Sequence, residues 1–278
     1  MWMPGKVDVY AHQLMEVRAA ARILPLLSDV EPLSLQDANS IARRILDFRM
    51  AQGEKPVGKK IYFNVRSDAL FGQPDKRDPI WAPIYDTTIR YADNNMGVQS
   101  LLGAIQPCIA PQIVFKIGTT PLVGATIDEL SQCVDWVAHG LEIVSCPFAG
   151  WQFTIADAIA AFGLHGTLII GDPTTLSYDT QTTLQTKLNN ASLTLSGMQN
   201  ADGIRSGVGF SSATLDNPVY AMWHLHQLLN RQSLFKPLHE GDLVSVGVWT
   251  EAYPVGPNQT WTSTLSGVHL PSMTLHLV

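Results

Sequence analysis

Hydrophobic and polar positions change rhythm near residue 56. Over residues 8–24, Val9, Leu14, Val17, Ala21 and Leu24 recur at helical spacing behind Asp8, an acceptable cap, and predict a first helix. A second is expected over 34–52, opened by Ser34 with Asp37 three residues on and stopped by Gly53. The two form an N-terminal helical subdomain, residues 1–55. From Pro56 onward the apolar residues come in short β-rich runs, KKIYFNV, QIVFKI, GTLII, ASLTLSG, DLVSVGVW and MTLHLV, separated by Gly, Pro and Asp. Helical spacing returns near 127–139, behind the capping-box pattern of Thr126 and Glu129, and over 217–230, where Val219, Met222, Leu225 and Leu228 follow Asn217-Pro218. Gly241-Asp242 and Pro257-Asn258 read as turns between closing strands. The pattern predicts an α+β chain with a mixed or antiparallel β-core over residues 56–278.

Composition narrows the class. In 278 residues, 46% are hydrophobic and 15% charged, which supports a substantial core and argues against disorder. The formal net charge is -6 and no basic cluster is visible, so nucleic acid is not expected as a partner. No apolar stretch approaches the roughly 20 residues that cross a bilayer, and the N-terminus lacks a signal-peptide core. Cys108, Cys133 and Cys146 lack metal-like spacing and suggest a reducing compartment. The cytoplasm is the expected location, with no membrane partner.

Several segments together resemble one family. Pro56-Val57-Gly58-Lys59-Lys60-Ile61 is similar to a V-G-R-K-[IV]-G segment, and Tyr85-Asp86-Thr87-Thr88 to a Y-D-T-T element. The run from Val134 to Val144, carrying Glu142, resembles a segment that supplies a metal carboxylate. Asp157 to Gly171 resembles D-x-[IV]-A-D-x-G-x-H-G-x-x-[VIL]-x-G. The ending from Gly241 to Val268 resembles G-D-[IV]-[IV]-x-T-G-x-x-T with its trailing Leu-Ser-Gly. In order and spacing these match the 2-keto-4-pentenoate hydratase / 2-oxo-3-hexenedioate decarboxylase family of the fumarylacetoacetate hydrolase superfamily. The resemblance implies a mixed β-roll core and activity on 2-oxo or 2-hydroxydienoic acids. It also implies Mg²⁺ or Mn²⁺ held by a Glu-x-Glu pair and a third carboxylate, the ion stabilising an enolate.

This chain departs from that pattern where the metal would sit. The segment resembling Q-P-R-I-E-P-E-I-V-F reads Gln106-Pro107-Cys108-Ile109-Ala110-Pro111-Gln112-Ile113-Val114-Phe115, which leaves Glu142 and Gln112 as weak remnants of the ligand set. Hard cations want several oxygen ligands carrying net negative charge, so the expectation is weak metal binding or none. Lys116 shares a strand face with Ala110 and Gln112 and could neutralise Glu142, but it stands about 13 Å from Gln112 at ~3.3 Å per residue, and a solvated strand-end lysine competes with that reading.

By the resemblance, Lys60 is the leading catalytic candidate, holding a substrate oxygen or relaying a proton. Asp78 and Asp86 are candidate acid/base partners, although Asp86 could equally cap a turn. Ser212 and Gly209, in a Gly- and Ser-rich run, are candidates for holding the substrate carboxylate, with Gly247 and Trp151 beside them. Val246 stands where the family carries a threonine, deleting a hydroxyl. His139 and His165 read better as satisfied structural histidines, Cys146 as a packed thiol, and His224 and His226 diverge on a helix. Two functions remain open. One is a hydratase-like lyase or isomerase (or a decarboxylase or cyclase) working through an enolate. The other is a non-catalytic partner subunit of an active relative. The family implies a homo-oligomer, and association with a related family enzyme is a further expectation.

Overall fold

The computed structural model describes residues 3–63, 79–199, 203–211, 217–247 and 249–278. Its larger sheet has nine strands among the described residues. The main path runs β2 (Pro79–Tyr85), β1 (Pro56–Phe63), β11 (Leu243–Gly247), β5 (Cys108–Ile117), β6 (Val134–Val144), β7 (Thr167–Ile170) and β3 (Ile89–Tyr91). The short β8 (Thr174–Thr175) pairs with β6, and β12 (Tyr253–Pro254) with β5. A second sheet is ordered β10 (Gly203–Phe210), β9 (Ser192–Gln199), β13 (Thr260–Ser266), β14 (Met273–Leu277) and β4 (Met96–Gln99). Parallel pairs, β1 with β11 and β3 with β7, interrupt an otherwise antiparallel ladder, so the sheet is mixed as expected.

The N-terminal helices cover one face of the large sheet. Apolar residues of α1 (Pro4–Ala19), α2 (Leu27–Val30) and α3 (Leu35–Ala51), among them Leu14, Leu27, Ile41 and Ile45, join Ile61, Ile113, Leu141 and Val246 in one buried cluster with α5 (Ile155–Ala160) and α7 (Pro218–Asn230). A smaller cluster of Ile84, Val114, Ala138, Leu168 and Leu243 fills the opposite face. Alternation along β5 and β6 sends neighbouring residues to different clusters, which fixes register because a slip of one residue would exchange the faces.

Several elements differ from their sequence reading. α1 starts at Pro4, a residue suited to the first helical turn, and Asp8 does not cap it but pairs with Arg44 at 2.6 Å. The helix expected over 127–139 is only α4 (Ile127–Gln132), because β6 begins at Val134. α6 (Tyr178–Asn189) escaped notice because it is rich in Thr and buries only Leu184 and Leu188. The helix over 34–52 forms as expected, with the Ser34 side chain accepting from the Asp37 amide and Gly53 at φ +92 beyond its end. No helix among the described residues is long and apolar enough to cross a membrane.

Candidate active site

Strand alternation gathers polar side chains on the face opposite the N-terminal helices. Lys60 lies opposite Ser245, Gly247 opposite Gln112, and Ala110 opposite Glu142, so four adjacent strands contribute to one patch. Two glycines make room for Gln112. A Cβ on Gly247 would lie 2.6 Å from its Nε2, and one on Gly140 would lie 3.3 Å from its Cβ. At both positions a glycine lets a long side chain lie flat across the sheet.

The patch is buried and its hydrogen bonds converge on one carboxylate. Glu142 and Lys60 are 1% and 2% exposed. Lys60 Nζ donates to Glu142 Oε1 at 2.5 Å, and His165 Nδ1 donates to the same oxygen at 2.7 Å. Gln112 Nε2 donates to Oε2 at 3.0 Å, while Ser245 Oγ donates to Gln112 Oε1 at 3.0 Å. His165 Nε2 meets Thr88 Oγ1 at 2.8 Å. Burial holds the His165 ring to a pKa of about 4, outweighing the opposing pull of Glu142, so the ring is neutral near pH 7. Its single proton then belongs on Nδ1, facing Glu142, and Thr88 donates to Nε2. Burial alone would raise the Glu142 pKa, but the Lys60 charge, with help from His165, holds it below the ordinary carboxylate range. Burial lowers the Lys60 pKa against the opposing pull of Glu142.

Two residues from Lys60 and on the same strand face stands Tyr62. Its hydroxyl is buried without a hydrogen-bond partner among the described residues, and Lys60 Nζ sits 5.0 Å from its ring centre. Burial, and next the charge on Glu142, push the phenol well above its ordinary pKa, so it remains a proton-bearing donor. Tyr62 escaped the sequence reading, although the resembling V-G-R-K-[IV]-G segment closes on glycine where this chain has tyrosine. Ser245 and Thr88 were also missed; an isolated hydroxyl residue carries no local signal of its partners.

Other sequence candidates are placed differently. Val246 faces the helical cluster with Ile61 and Ile113, so the change at that position removes nothing from the polar patch; the hydroxyl there belongs to Ser245. Asp86 is exposed, and its Oδ1 accepts from the amides of Lys55 and Thr87, each at 2.9 Å, which makes it a turn cap apart from the patch. Lys116 donates to the Gly241 carbonyl at 2.5 Å and does not serve Glu142; Lys60 does. Trp151 packs beside Ala110 with Cys108 and Val144, at the edge of the patch. Gly209 lies on β10, where a Cβ would strike the Trp249 carbonyl oxygen at 1.7 Å, so close backbone approach accounts for it. Asp78 and Ser212 lie outside the described residues. His139 is satisfied by Ser263 and Pro271, and the buried Cys146 thiol is pushed up to about 12 by burial, as expected of structural groups. His165 is equally satisfied, but its partner is Glu142, which brings it into the patch.

The residues present do not fit a divalent cation of the Mg²⁺ type. Ala110 offers no donor atom. Gln112 turns its N–H toward Glu142 while its oxygen accepts from Ser245, and the Lys60 ammonium occupies the other carboxylate oxygen. Among the described residues no group of three or more His, Cys, Asp or Glu side chains is arranged to hold a metal. Both Glu142 oxygens already receive N–H donors, and a hard cation would have to displace them with only one formal negative charge to attract it.

No protein-family model matches the chain. It is 25% identical over 269 residues to a 2-hydroxyhexa-2,4-dienoate hydratase of Comamonas testosteroni, covering 94% of each chain. A 4-oxalocrotonate decarboxylase of a Pseudomonas species is 24% identical, with 91% of each covered. A 2-keto-4-pentenoate hydratase of Paraburkholderia xenovorans is 26% identical, covering 95% of this chain and 93% of that one. Among solved structures, the 4-oxalocrotonate decarboxylase from Pseudomonas putida G7 complexed with magnesium and adipate superposes with a TM-score of 0.83 at 19% identity, covering 100% of this chain and 99% of that one. The fumarylpyruvate hydrolase from Pseudomonas aeruginosa in complex with Mn²⁺ and pyruvate gives 0.54 at 11% identity, covering 79% and 88%. Both likenesses concern the fold.

Proposed function

We propose, because the chain belongs to the 2-keto-4-pentenoate hydratase / 2-oxo-3-hexenedioate decarboxylase family of the fumarylacetoacetate hydrolase superfamily, that it is a hydratase-like lyase for a small 2-oxo or enol acid, with weakened or no dependence on a divalent metal. The chain is an enzyme, and its relatives over more than nine-tenths of its length are named as hydratases and a decarboxylase. The observation that carries the metal-free part is the Lys60 ammonium seated on Glu142, with Ala110 and Gln112 where the family pattern has two further carboxylates.

In the proposed reaction, a 2-hydroxydienoic acid first loses its enol proton and gains one at the far end of the diene, giving a 2-oxo acid with a conjugated C=C bond. Water then adds through its oxygen to the far carbon of that bond. Negative charge passes to the 2-oxo oxygen, and the resulting enolate takes a proton on the intervening carbon, giving a hydroxy-2-oxo acid. Catalysis then requires donors aimed at that oxygen. Lys60 carries three N–H bonds and spends one on Glu142, which fixes its direction and keeps it charged. Its remaining N–H bonds serve the substrate carboxylate or 2-oxo oxygen, with the Tyr62 hydroxyl as a second donor. Asp78 remains the candidate for moving the proton. Decarboxylation ranks lower, because loss of CO₂ leans hardest on a strong electron sink. Homo-oligomers, and association with a related family enzyme, belong to the same proposal.

The test is incubation of metal-stripped enzyme in EDTA with 2-hydroxyhexa-2,4-dienoate, the acid in the name of the Comamonas relative. The dienoate absorbance should fall without release of CO₂, at a rate that added Mg²⁺ does not change. Turnover appearing only with Mg²⁺ would contradict the metal-free part. Absence of turnover under either condition would exclude this dienoate as the substrate. Tyr62→Phe should separate catalysis from packing. Losing an oxyanion donor costs about 10²-fold in kcat, whereas removing a buried, unpartnered hydroxyl relieves roughly 1–3 kcal/mol of desolvation. We therefore expect lower kcat with an unchanged or higher Tm; unchanged kcat would exclude Tyr62 as a donor.

A further inference from the structure

A cavity of about 360 Å³ lies against the helix-covered face of the large sheet. Ile143 lines it, and because Ile143 alternates with Glu142 along β6, this cavity and the polar patch occupy opposite faces. Its wall combines apolar surface from Met15, Leu102 and Ile143 with the charged side chains of Arg18, Arg49 and Glu54.

The charges there do not balance. Arg49 uses Nε and Nη2 on the Glu54 carboxylate, at 2.9 and 2.6 Å, and lies with its guanidinium carbon 3.6 Å from the centre of the Tyr85 ring. Its Nη1 is buried without a hydrogen-bond partner among the described residues, and the residue is only 4% exposed. Arg18 spends Nη1 on the His165 carbonyl at 2.7 Å and sits over the Phe162 ring. Burial, and next the charge on Arg49, lower the Arg18 pKa to about 10. Among the described residues, two guanidinium groups thus share one carboxylate in a half-enclosed space, and the buried Nη1 of Arg49 is left unused. A buried donor left unmatched is costly, and a fixed guanidinium edge suits a planar anion.

We propose that this cavity binds a small organic monocarboxylate, its carboxylate held by Arg18 and Arg49 and its apolar body laid against Met15, Leu102 and Ile143. A single negative charge matches the single unbalanced positive charge, whereas a dianion such as phosphate would also face the Glu54 carboxylate. The site touches the catalytic patch through one residue: Arg18 holds the His165 carbonyl, and the His165 ring holds Glu142. This inference does not depend on the proposed reaction.

Calorimetric titration of the full-length enzyme with sodium hexanoate tests it. The wild-type protein should bind one equivalent, and Arg18→Gln should weaken binding by about tenfold or more, the usual loss for a hydrogen bond to a charged group. Leu102→Glu is the second variant, because Leu102 is 95% exposed at the cavity wall and its replacement leaves the core intact. It places a negative charge at the wall and should also weaken hexanoate. Neither 1-hexanol nor inorganic phosphate should bind comparably. Hexanoate binding that survives both substitutions, equal binding of 1-hexanol, or no binding of hexanoate to the wild-type protein would overturn the proposal.

Discussion

Lys60→Met should remove turnover by about 10³-fold or more while leaving a folded but weakened protein, because Lys60 is the partner of a buried carboxylate and, on the proposed reading, also supplies the positive charge beside the enolate. Lys60 and Glu142 are almost fully buried, so solvent screens their attraction little. Breaking such a pair by removing one member costs about 3–5 kcal/mol, since the other is left charged and dry. Glu142 would respond by holding a proton to higher pH than in the wild type, its pKa rising once the opposing charge is gone. The single variants Lys60→Met and Glu142→Gln should each lower Tm, whereas the double variant should recover most of the loss, the coupling expected of groups in contact. Activity should stay absent in the double variant. If stability and activity recover together, the pair serves packing alone. In the wild-type enzyme, the Lys60 pKa is lowered from 10.5 by burial, so loss of its proton should set an alkaline limb of kcat/KM below that value. Activity should fall as pH rises and the ammonium is lost, because the deprotonated amine could no longer stabilise the proposed enolate.

The second large effect concerns the metal. Ala110→Glu together with Gln112→Glu should convert the chain into a protein that Mn²⁺ stabilises. Ala110 lies directly opposite Glu142, and Gln112 already reaches its Oε2. Three carboxylates crowded on one buried face repel one another, so the metal-free double variant should unfold at a lower temperature than wild type. A bound divalent ion would reverse this by mass action, by about 2.7 kcal/mol at a concentration 100 times Kd. Differential scanning calorimetry with and without Mn²⁺ reads both effects. An upward shift in the double variant that is absent in wild type supports the electrostatic account. Equal shifts, or none in either protein, would show that the substituted positions do not govern metal binding.

How far the sequence was legible follows from which signals are local. The helix α3 could be read because its cap, apolar face and terminating glycine all lie within one short segment. β6 was partly misread as helix because Val134, Val137 and Ala138 fall at spacings of three and four, which a short stretch of strand can imitate. Lys60, Glu142 and Gln112 were recognised through the resemblance, and the structure joins all three. Val246 was misjudged because facing is decided by cross-strand register, and its neighbour Ser245 shares the face of Lys60. Tyr62 shows the same limit: its two-residue spacing from Lys60 was visible, but an unpartnered hydroxyl is defined only by what surrounds it.

Electron paramagnetic resonance of Mn²⁺ titrated into wild-type enzyme, with and without a 2-oxo acid, measures directly whether an ammonium ion stands in place of a divalent cation. The signal of free Mn²⁺ should persist through one equivalent in both cases, because Glu142 already receives Lys60, His165 and Gln112. Stoichiometric loss of that signal, reversed by Glu142→Gln, would mean that the site holds a metal after all and that Lys60 does not replace it.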